Sequence, residues 1–420
     1  MGQLSDCLCP GYLRPVQDPT RVTGFDNALA ALCDRRLVQS MYGECDILMK
    51  DVLLTLHGEQ HARRRAVELQ LFRKDFARYY EHAVLPDIVA HTLAPYLEQG
   101  SVDLPDFGAR VTLNLSARIA GLDIKPVTAA TEDTELLLSI VRKFGEGATL
   151  FHSTRDKSEV RNEVAQALAV FNEVFLQPAW ERRLALIEVS AATENEATLP
   201  RDILTVLLSH QAEQGWDDAL IRREVAFFMQ AASHSSATAL VHAFHEITRW
   251  CGSDLRRRQR LIDDPLFLQR SVHESLRLHP ASPVAWRVSD CPFTFSDGNS
   301  VAAGDAVVVA LQDANRDPTV FGADADHFDP HRRLQNRTAP YGLTFGVGVH
   351  TCFGRELAGG SLPEQQPSEG PQHLGTLTRI LHKLFSSGAQ PDPDHPPERA
   401  TDTLRANWAR YPIRLGVHSP

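Results

Sequence analysis

Residues 344–358 read TFGVGVHTCFGRELA, the most diagnostic stretch of the chain. Its glycines allow a tight loop with positive φ angles, and the residues after Cys352 are typical of the first turn of a helix. Loop N–H groups and a helix N-terminus lower the pKa of a thiol and donate hydrogen bonds to its sulfur, as a sulfur ligand of haem iron requires. The alternative is a buried structural cysteine beside a glycine loop.

The composition excludes several classes of protein. The chain has 420 residues, 43% of them hydrophobic and 23% charged, with a formal net charge of −10, which is ordinary for a globular protein and unfavourable for binding nucleic acid. No stretch approaches the ~18 consecutive apolar residues of a membrane span, and the N-terminus lacks a basic segment followed by an apolar one. We therefore expect a cytoplasmic protein. The seven cysteines are an odd number, spread too widely for a disulfide scaffold.

The pattern of apolar residues predicts a mainly α fold with a small β region. Apolar residues spaced by three and four, with charged faces opposite, predict helices over Gly58–Arg73, Lys157–Glu188 and Asp218–Trp250. After Pro280 the pattern changes, and short strands are predicted within residues 292–299 and 306–311. We expect a single domain spanning residues 1–420.

The loop around Cys352 resembles the iron-binding loop of the cytochrome P-450 family of haem-thiolate enzymes, whose form is Phe, Gly, any, Gly, any, His, any, Cys, any, Gly. Residues 345–354 match that form completely. Glu274 and Arg277 resemble the family's Glu-x-x-Arg helix, and Arg332 resembles the arginine that joins its ion pair. These motifs occur in the family's order, and the resemblance covers about residues 20 to 415. It implies the family's helical architecture, with haem b (iron protoporphyrin IX) as the cofactor.

Within that loop, the resemblance implies that Cys352 is the ligand of the haem iron. It also implies that Phe345 and His350 lie at the haem, with His350 near its carboxylates.

The resemblance assigns three further residues to the haem propionates. His61 and Arg65 match a His and an Arg four residues apart, a spacing that places both on one helical face. Arg287 matches the arginine that follows the Glu-x-x-Arg helix. For Arg63 and Arg64 two interpretations stay open: a solvated basic helix face, or a docking site for an electron donor.

The oxygen-activating helix departs from the family pattern Ala-Gly-x-Asp/Glu-Thr. Residues 231–235 read AASHS, so His234 replaces the acid and Ser235 replaces the threonine. A serine hydroxyl still donates one hydrogen bond, and histidine ordinarily titrates near pH 6.5, so His234 and Ser235 are the predicted catalytic proton relay. The alternative is that His234 points to protein rather than to haem.

Two other departures concern length. His61 arrives early, so we expect a shortened N-terminal part and an open substrate entrance. Residues 361–372 form an insertion whose three prolines must break the helix that follows Cys352. The insertion is either a tolerated surface loop or a partner-binding segment.

The resemblance implies a monooxygenase that hydroxylates a hydrophobic small molecule in specialised metabolism. The chain has no flavin or nicotinamide fingerprint, so O2 would be used with electrons from NAD(P)H through a ferredoxin reductase and a ferredoxin. Substrate-lining segments are expected at 38–54, 144–151, 226–237 and 281–288, all largely apolar. Two alternatives stay open: a haem-thiolate peroxygenase, isomerase or coupling enzyme, and a non-catalytic haem-binding or ligand-sensing protein.

Overall fold

A computed structural model describes residues 19–124, 132–193, 199–295, 298–334, 338–362 and 371–416. Most of the predicted insertion lies outside these residues, as does the N-terminal segment before residue 19, so both length predictions stay predictions. Among the described residues, no helix has the length and apolar character needed to cross a membrane.

Helices make up most of the described chain. Their bounds are α1 Phe25–Cys33, α2 Asp46–Met49, α3 Gly58–Glu68, α4 Lys74–Tyr79, α5 Leu85–Gln99, α6 Leu104–Ala120, α7 Glu132–Ala148, α8 Lys157–Val170, α9 Gln177–Thr193, α10 Ile203–Gln214, α11 Asp218–Cys251, α12 Leu255–Asp263, α13 Pro265–Leu278, α14 Leu311–Ala314, α15 Pro318–Phe321, α16 Arg355–Gly359 and α17 Thr376–Ser386. Two π-helical turns, Tyr80–Val84 and Phe171–Leu176, join α4 to α5 and α8 to α9.

The strands are short. Their bounds are β1 Thr20–Val22, β2 Leu37–Gln39, β3 Ser101–Asp103, β4 Ala285–Ser289, β5 Phe293–Thr294, β6 Ser300–Val301, β7 Ala306–Val309, β8 Gln390–Pro391, β9 Glu398–Arg399, β10 Trp408–Arg410 and β11 Pro412–Arg414. The largest sheet has the order β1-β7-β4-β2, and a second has the order β3-β11-β8; β5 pairs with β6, and β9 pairs with β10. Only β1 and β7 pair in parallel among these strands.

This architecture confirms the predicted mainly α fold with a small β region. The prediction of where the strands lie was incomplete. It missed β1, β2 and β3 in the N-terminal, mainly helical part of the chain, and β8 to β11 near the C-terminus. Strands of two or three residues are too short to show the alternation that identifies a half-buried strand.

Helix α11 runs through the centre of the molecule and packs against α6, α7 and α13. It begins at an N-cap where the Asp217 carboxylate accepts a hydrogen bond from the N–H of Leu220 at 2.7 Å. Its buried side chains extend from Ile221 to Cys251, so both of its ends are fixed in the main core. A second, smaller core lies between α1 and the four-stranded sheet.

The predicted ion pair of α13 is present and buried. The Glu274 carboxylate accepts hydrogen bonds from Arg277 at 2.7 and 2.8 Å and from Arg332 at 3.0 Å. Arg277 is fully buried and also donates to the carbonyls of Asn315, at 2.6 Å, and Ala325, at 2.7 Å. The guanidinium of Arg277 therefore joins α13 to the irregular segment after α14, beneath the cysteine loop.

Two neighbouring arginines of α3 lie in opposite environments. Arg63 is exposed and pairs with Glu59 at 2.5 Å. Arg64 is only 3% exposed, and it donates to the buried carboxylate of Glu224 at 2.7 Å. For Arg64, both the solvated face and the docking site are therefore wrong, because its guanidinium is buried against α11.

Arg64 lies between two buried carboxylates. Both oxygens of Glu224 accept the N–H of Leu53, at 3.1 and 3.0 Å, in addition to the bond from Arg64. Glu68 is fully buried, 3.9 Å from Arg64, and neither of its oxygens has a hydrogen-bond partner among the described residues. Burial raises the pKa of both carboxyls, and the nearby charge of Glu224 raises that of Glu68 further. Arg64 thus lies within 4 Å of two buried carboxylates, those of Glu224 and Glu68.

Candidate active site

The cysteine loop has the geometry that its glycines predict. Gly346 and Gly348 have φ angles of 63° and 72°, which L side chains rarely adopt. These turns let the Cys352 N–H donate to the Phe345 carbonyl at 2.8 Å and close the loop. The chain then enters α16 at Arg355, so the cysteine stands just before a helix, although one of only five residues.

Cys352 is an exposed residue with a desolvated thiol. The residue is exposed, yet burial has the largest effect on its pKa and raises it. The N–H groups of Gly354 and Arg355 donate to the sulfur, and together with the charge of Arg65 they lower the pKa. A coordinated metal ion would deprotonate this thiol outright.

The other loop residues frame the same place. The ring of Phe345 packs edge-on against Tyr341, with centroids 4.9 Å apart, and lies beside Gly359 of α16. The ring of His350 lies 4.3 Å from that of His61 on α3. The loop and α3 therefore meet beside the cysteine.

Histidines and arginines cluster here, and the nearby acids Glu68 and Asp290 affect the pKa values of Arg65 and His57 without forming an ion pair with them among the described residues. Burial lowers the pKa of His61 to about 4 and that of His350 to about 3, and the neighbouring charges of Arg65 and Arg287 contribute. In the described part of the chain, no carboxylate lies within 4 Å of Arg65 or Arg287, and the buried Nε2 of His61 has no hydrogen-bond partner. His57 lies 6.1 Å from His350 and extends the cluster.

This arrangement fits a haem. The half-buried guanidinium of Arg65 and the buried guanidinium of Arg287 match the two carboxylates of the macrocycle, since buried charges need charge-assisted partners. Arg65 is already oriented by a 2.7 Å hydrogen bond to the carbonyl of Thr351, in the cysteine loop. The residues predicted for the propionates, namely His61, Arg65, Arg287 and His350, thus lie together, and their roles remain predictions.

Replacing either arginine should weaken haem binding. We expect Arg65→Ala and Arg287→Ala to lose haem faster than the parent on dilution or mild acidification, because each leaves a propionate without its charged partner. Transfer of haem to apomyoglobin measures the rate. Arg63→Ala is the matched control, since Arg63 is exposed and pairs only with Glu59. Unchanged rates in both variants would contradict the assignment.

The predicted relay residues lie on α11. The ring of His234 packs against α7 at Gly145, where an added Cβ would lie 3.2 Å from Nδ1, so a larger residue there would require the histidine ring to shift slightly. Burial and the charge of Arg405 lower the pKa of His234 to about 4. The Ser235 hydroxyl donates to the carbonyl of Ala231 at 2.7 Å. Burial and the charge of Arg405 thus indicate a pKa below the sequence-based expectation of a change within a unit or two of pH 6.5, and the relay role of His234 and Ser235 stays a prediction.

The expected substrate-lining segments come together. Helices α7 and α11 pack through Gly145 and His234, and the Phe151 ring lies 4.7 Å from that of Trp286 on β4. Sequence reasoning missed Arg405, which affects His234 from a distant C-terminal turn. Its only sequence signal is an arginine between two short strands, which is too common to identify a site.

The helical body, the cysteine in its glycine loop and the cationic cluster define a haem-thiolate class of protein. The family model described as Cytochrome P450 matches residues 149–361, half of the chain. The chain therefore belongs to the cytochrome P450 family, which implies a haem cofactor.

Relatives and solved structures agree with this family. A "Putative cytochrome P450 137" of Mycobacterium tuberculosis is 30% identical over 202 residues, covering 47% of this chain and 39% of the relative. The "Cyclooctat-9-en-7-ol 5-monooxygenase" of Streptomyces melanosporofaciens is 30% identical over 177 residues, covering 37% and 38%. The matches thus span about two fifths of these relatives' lengths. The structure of CalO2 superposes with a TM-score of 0.70 at 20% identity, over 94% of this chain and 90% of that one.

Proposed function

We propose that the chain is a single-domain haem-thiolate monooxygenase that binds iron protoporphyrin IX and hydroxylates a hydrophobic small molecule of specialised metabolism. It would use O2 and electrons delivered from NAD(P)H by a ferredoxin reductase and a ferredoxin. The observation that carries the proposal is the desolvated sulfur of Cys352, which accepts backbone hydrogen bonds from Gly354 and Arg355, beside Arg65 and Arg287, neither of which has a described carboxylate within 4 Å. A relative named as a monooxygenase supports the reaction type.

Each side chain has a role in this proposal. Cys352 binds the iron through its sulfur, which the N–H groups of Gly354 and Arg355 hold in place. Arg65 and Arg287, with His61 and His350, bind the propionates. When bound, a haem with a thiolate ligand supplies dioxygen activation and favours O–O cleavage.

In this proposal His234 and Ser235 transfer protons, and neither carries an extra proton near pH 7. His234 is neutral near pH 7, because its pKa is about 4, so it holds one ring proton and accepts at the other nitrogen. The Ser235 hydroxyl donates to Ala231, and it must rotate away from that carbonyl to donate into the cavity. Each of the two residues can therefore pass on a proton only if another donor supplies one to replace it.

We expect Ser235→Ala to raise the share of NADPH that is lost to hydrogen peroxide, because misdirected protons release peroxide. Product per NADPH should fall by about tenfold or more, as is typical when a proton-transfer group is removed. Because the pKa of His234 is lowered, its charge changes near pH 4, and coupling should be flat between pH 6 and 8. Product, peroxide and NADPH measured in one reconstituted assay test both expectations. A midpoint near pH 6.5 would contradict the neutral His234.

The double variant His234→Asp with Ser235→Thr restores the common family pattern. If it couples NADPH to the same product as well as the parent or better, the parent is a monooxygenase with a modified relay. If the variant loses the native reaction while the parent works with peroxide or without an oxidant, the dioxygen proposal is wrong.

A second candidate is a haem-thiolate enzyme that does not use the dioxygen relay. The engagement of the Ser235 hydroxyl with Ala231 and the uncharged state of His234 favour it. Peroxide-supported turnover without ferredoxin, faster than turnover with NADPH and the two electron carriers, would establish this alternative.

A further inference from the structure

The turn that joins β9 to β10 is held against the segment after α7. The Ala400 N–H donates to the carbonyl of Asn407 at 3.0 Å and closes the turn. The Leu404 N–H donates to the carbonyl of His152 at 2.8 Å, and Thr403 forms a β-bridge with Ser153. Arg405 therefore projects from a fixed backbone.

The guanidinium of Arg405 has no counter-ion. Within the described ranges no carboxylate lies within 4 Å of it, and its buried Nε has no hydrogen-bond partner. Other arginines of the same hairpin are engaged: Arg399 donates to the carbonyl of Ala406 at 2.6 Å, and Arg410 pairs with Glu398 at 3.3 Å. Of these three arginines of the hairpin, Arg405 is the one whose guanidinium has no partner among the described residues.

Arg405 lies beside the segment after α7, because its neighbours Leu404 and Thr403 pair with His152 and Ser153. Its charge lowers the pKa of both His234 and His152, so it lies near both. Burial lowers its own pKa, yet part of its surface stays accessible. Phe151, whose ring packs against that of Trp286, directly precedes His152 in the chain. The buried indole N–H of Trp286 also has no acceptor among the described residues.

A buried, unpaired cation is costly, and an anionic ligand removes that cost. We propose that Arg405 binds a carboxylate of the substrate, which is therefore an amphiphilic acid with an apolar body rather than a neutral hydrophobic molecule. This inference rests on the proposed function, since it names the class of substrate that the same cavity accepts.

The surroundings favour a single negative charge. His152 and His234 are uncharged near pH 7, because the pKa of each is lowered to about 4, so Arg405 is alone as a cation there. A phosphate carries more charge than one guanidinium balances, whereas a carboxylate matches its planar fork. Aromatic side chains such as Phe151 and Trp286 supply apolar contacts for the rest of the ligand.

The test compares acids with their uncharged amides on the haem-loaded protein at pH 8. Isothermal titration calorimetry gives dissociation constants for dodecanoate and dodecanamide, and for 2-naphthylacetate and 2-naphthylacetamide. We expect at least one acid to bind about 10 to 100 times more tightly than its amide, as for a charge-assisted hydrogen bond. Arg405→Gln should bring that ratio to near one, and Arg405→Lys should keep part of it. Arg410→Gln, which removes an exposed arginine of the same hairpin, should leave the ratio unchanged.

A wild-type ratio near one, or no binding of either acid, overturns this inference, as does a ratio that survives Arg405→Gln. The haem absorption spectrum of each variant checks that the protein is intact, and the Arg405→Lys result decides if the glutamine variant misfolds. The proposed function fails separately, if the holoprotein prefers acids but oxidises none of the ligands that it binds.

Discussion

Cys352→Ala is expected to abolish the red-shifted absorption band that the reduced, carbon monoxide-bound protein should show. That band reports a thiolate ligand to the iron, and Cys352 is the cysteine that combines the glycine loop, N–H donors to its sulfur and an exposed position. The expected loss is complete. A difference spectrum of the dithionite-reduced protein measures it.

The matched control is Cys33→Ala, which removes another exposed thiol, at the end of α1 near Gly348. We expect this variant to keep the full band. A band that persists in Cys352→Ala, or that disappears in Cys33→Ala alone, would show that the iron has a different ligand.

Arg64→Met is expected to lower the free energy of unfolding by about 3 to 5 kcal/mol, the usual cost of removing one partner of a buried ion pair. Glu224 would keep the N–H of Leu53 but lose its guanidinium partner at 2.7 Å. Urea denaturation of the holoprotein measures the change. Arg63→Met, one residue away but exposed, should change stability by less than about 0.5 kcal/mol. Equal losses in the two variants would contradict the buried role of Arg64.

The variant Glu68→Gln tests whether the carboxyl of Glu68, which shares the guanidinium of Arg64 with Glu224, has a raised pKa. Since burial raises the pKa of Glu68 in the folded protein, its contribution to stability is fully present below pH 4.5 and is lost as the pH rises through the folded pKa. Glu68→Gln removes this loss, so its stability relative to the parent should increase from pH 4.5 upward. A difference that is constant with pH would mean that the pKa of Glu68 is not raised in the folded protein.

Local signals made part of this site predictable. The loop at residues 345–354 is defined by glycines a few residues from Cys352, and the Glu274–Arg277 pair spans one helical turn. Such features depend on short-range geometry, which a sequence records directly. The clustering of His61 with His350 could be predicted only through the family resemblance, because nearly 300 residues separate them.

Long-range packing made the rest unpredictable. The low pKa of His234 depends on α7 and on Arg405, which comes 171 positions later in the chain. The environment of Arg405 depends in turn on the attachment of its turn to His152. Nothing within a few residues of either side chain indicates these neighbours.

The three consecutive arginines of α3 also determine how this helix tolerates a change in length. Successive residues of an α-helix are rotated by about 100°, so Arg63, Arg64 and Arg65 point to solvent, to the buried acids and to the cysteine loop respectively. If one residue is inserted just before Arg63, arginines still occupy the second and third directions. If Ala62 is deleted, Ala66 moves into the third direction and the cysteine loop loses its guanidinium. An insertion before Arg63 therefore keeps a guanidinium facing the buried acids and another facing the cysteine loop, whereas deletion of Ala62 removes the second of these.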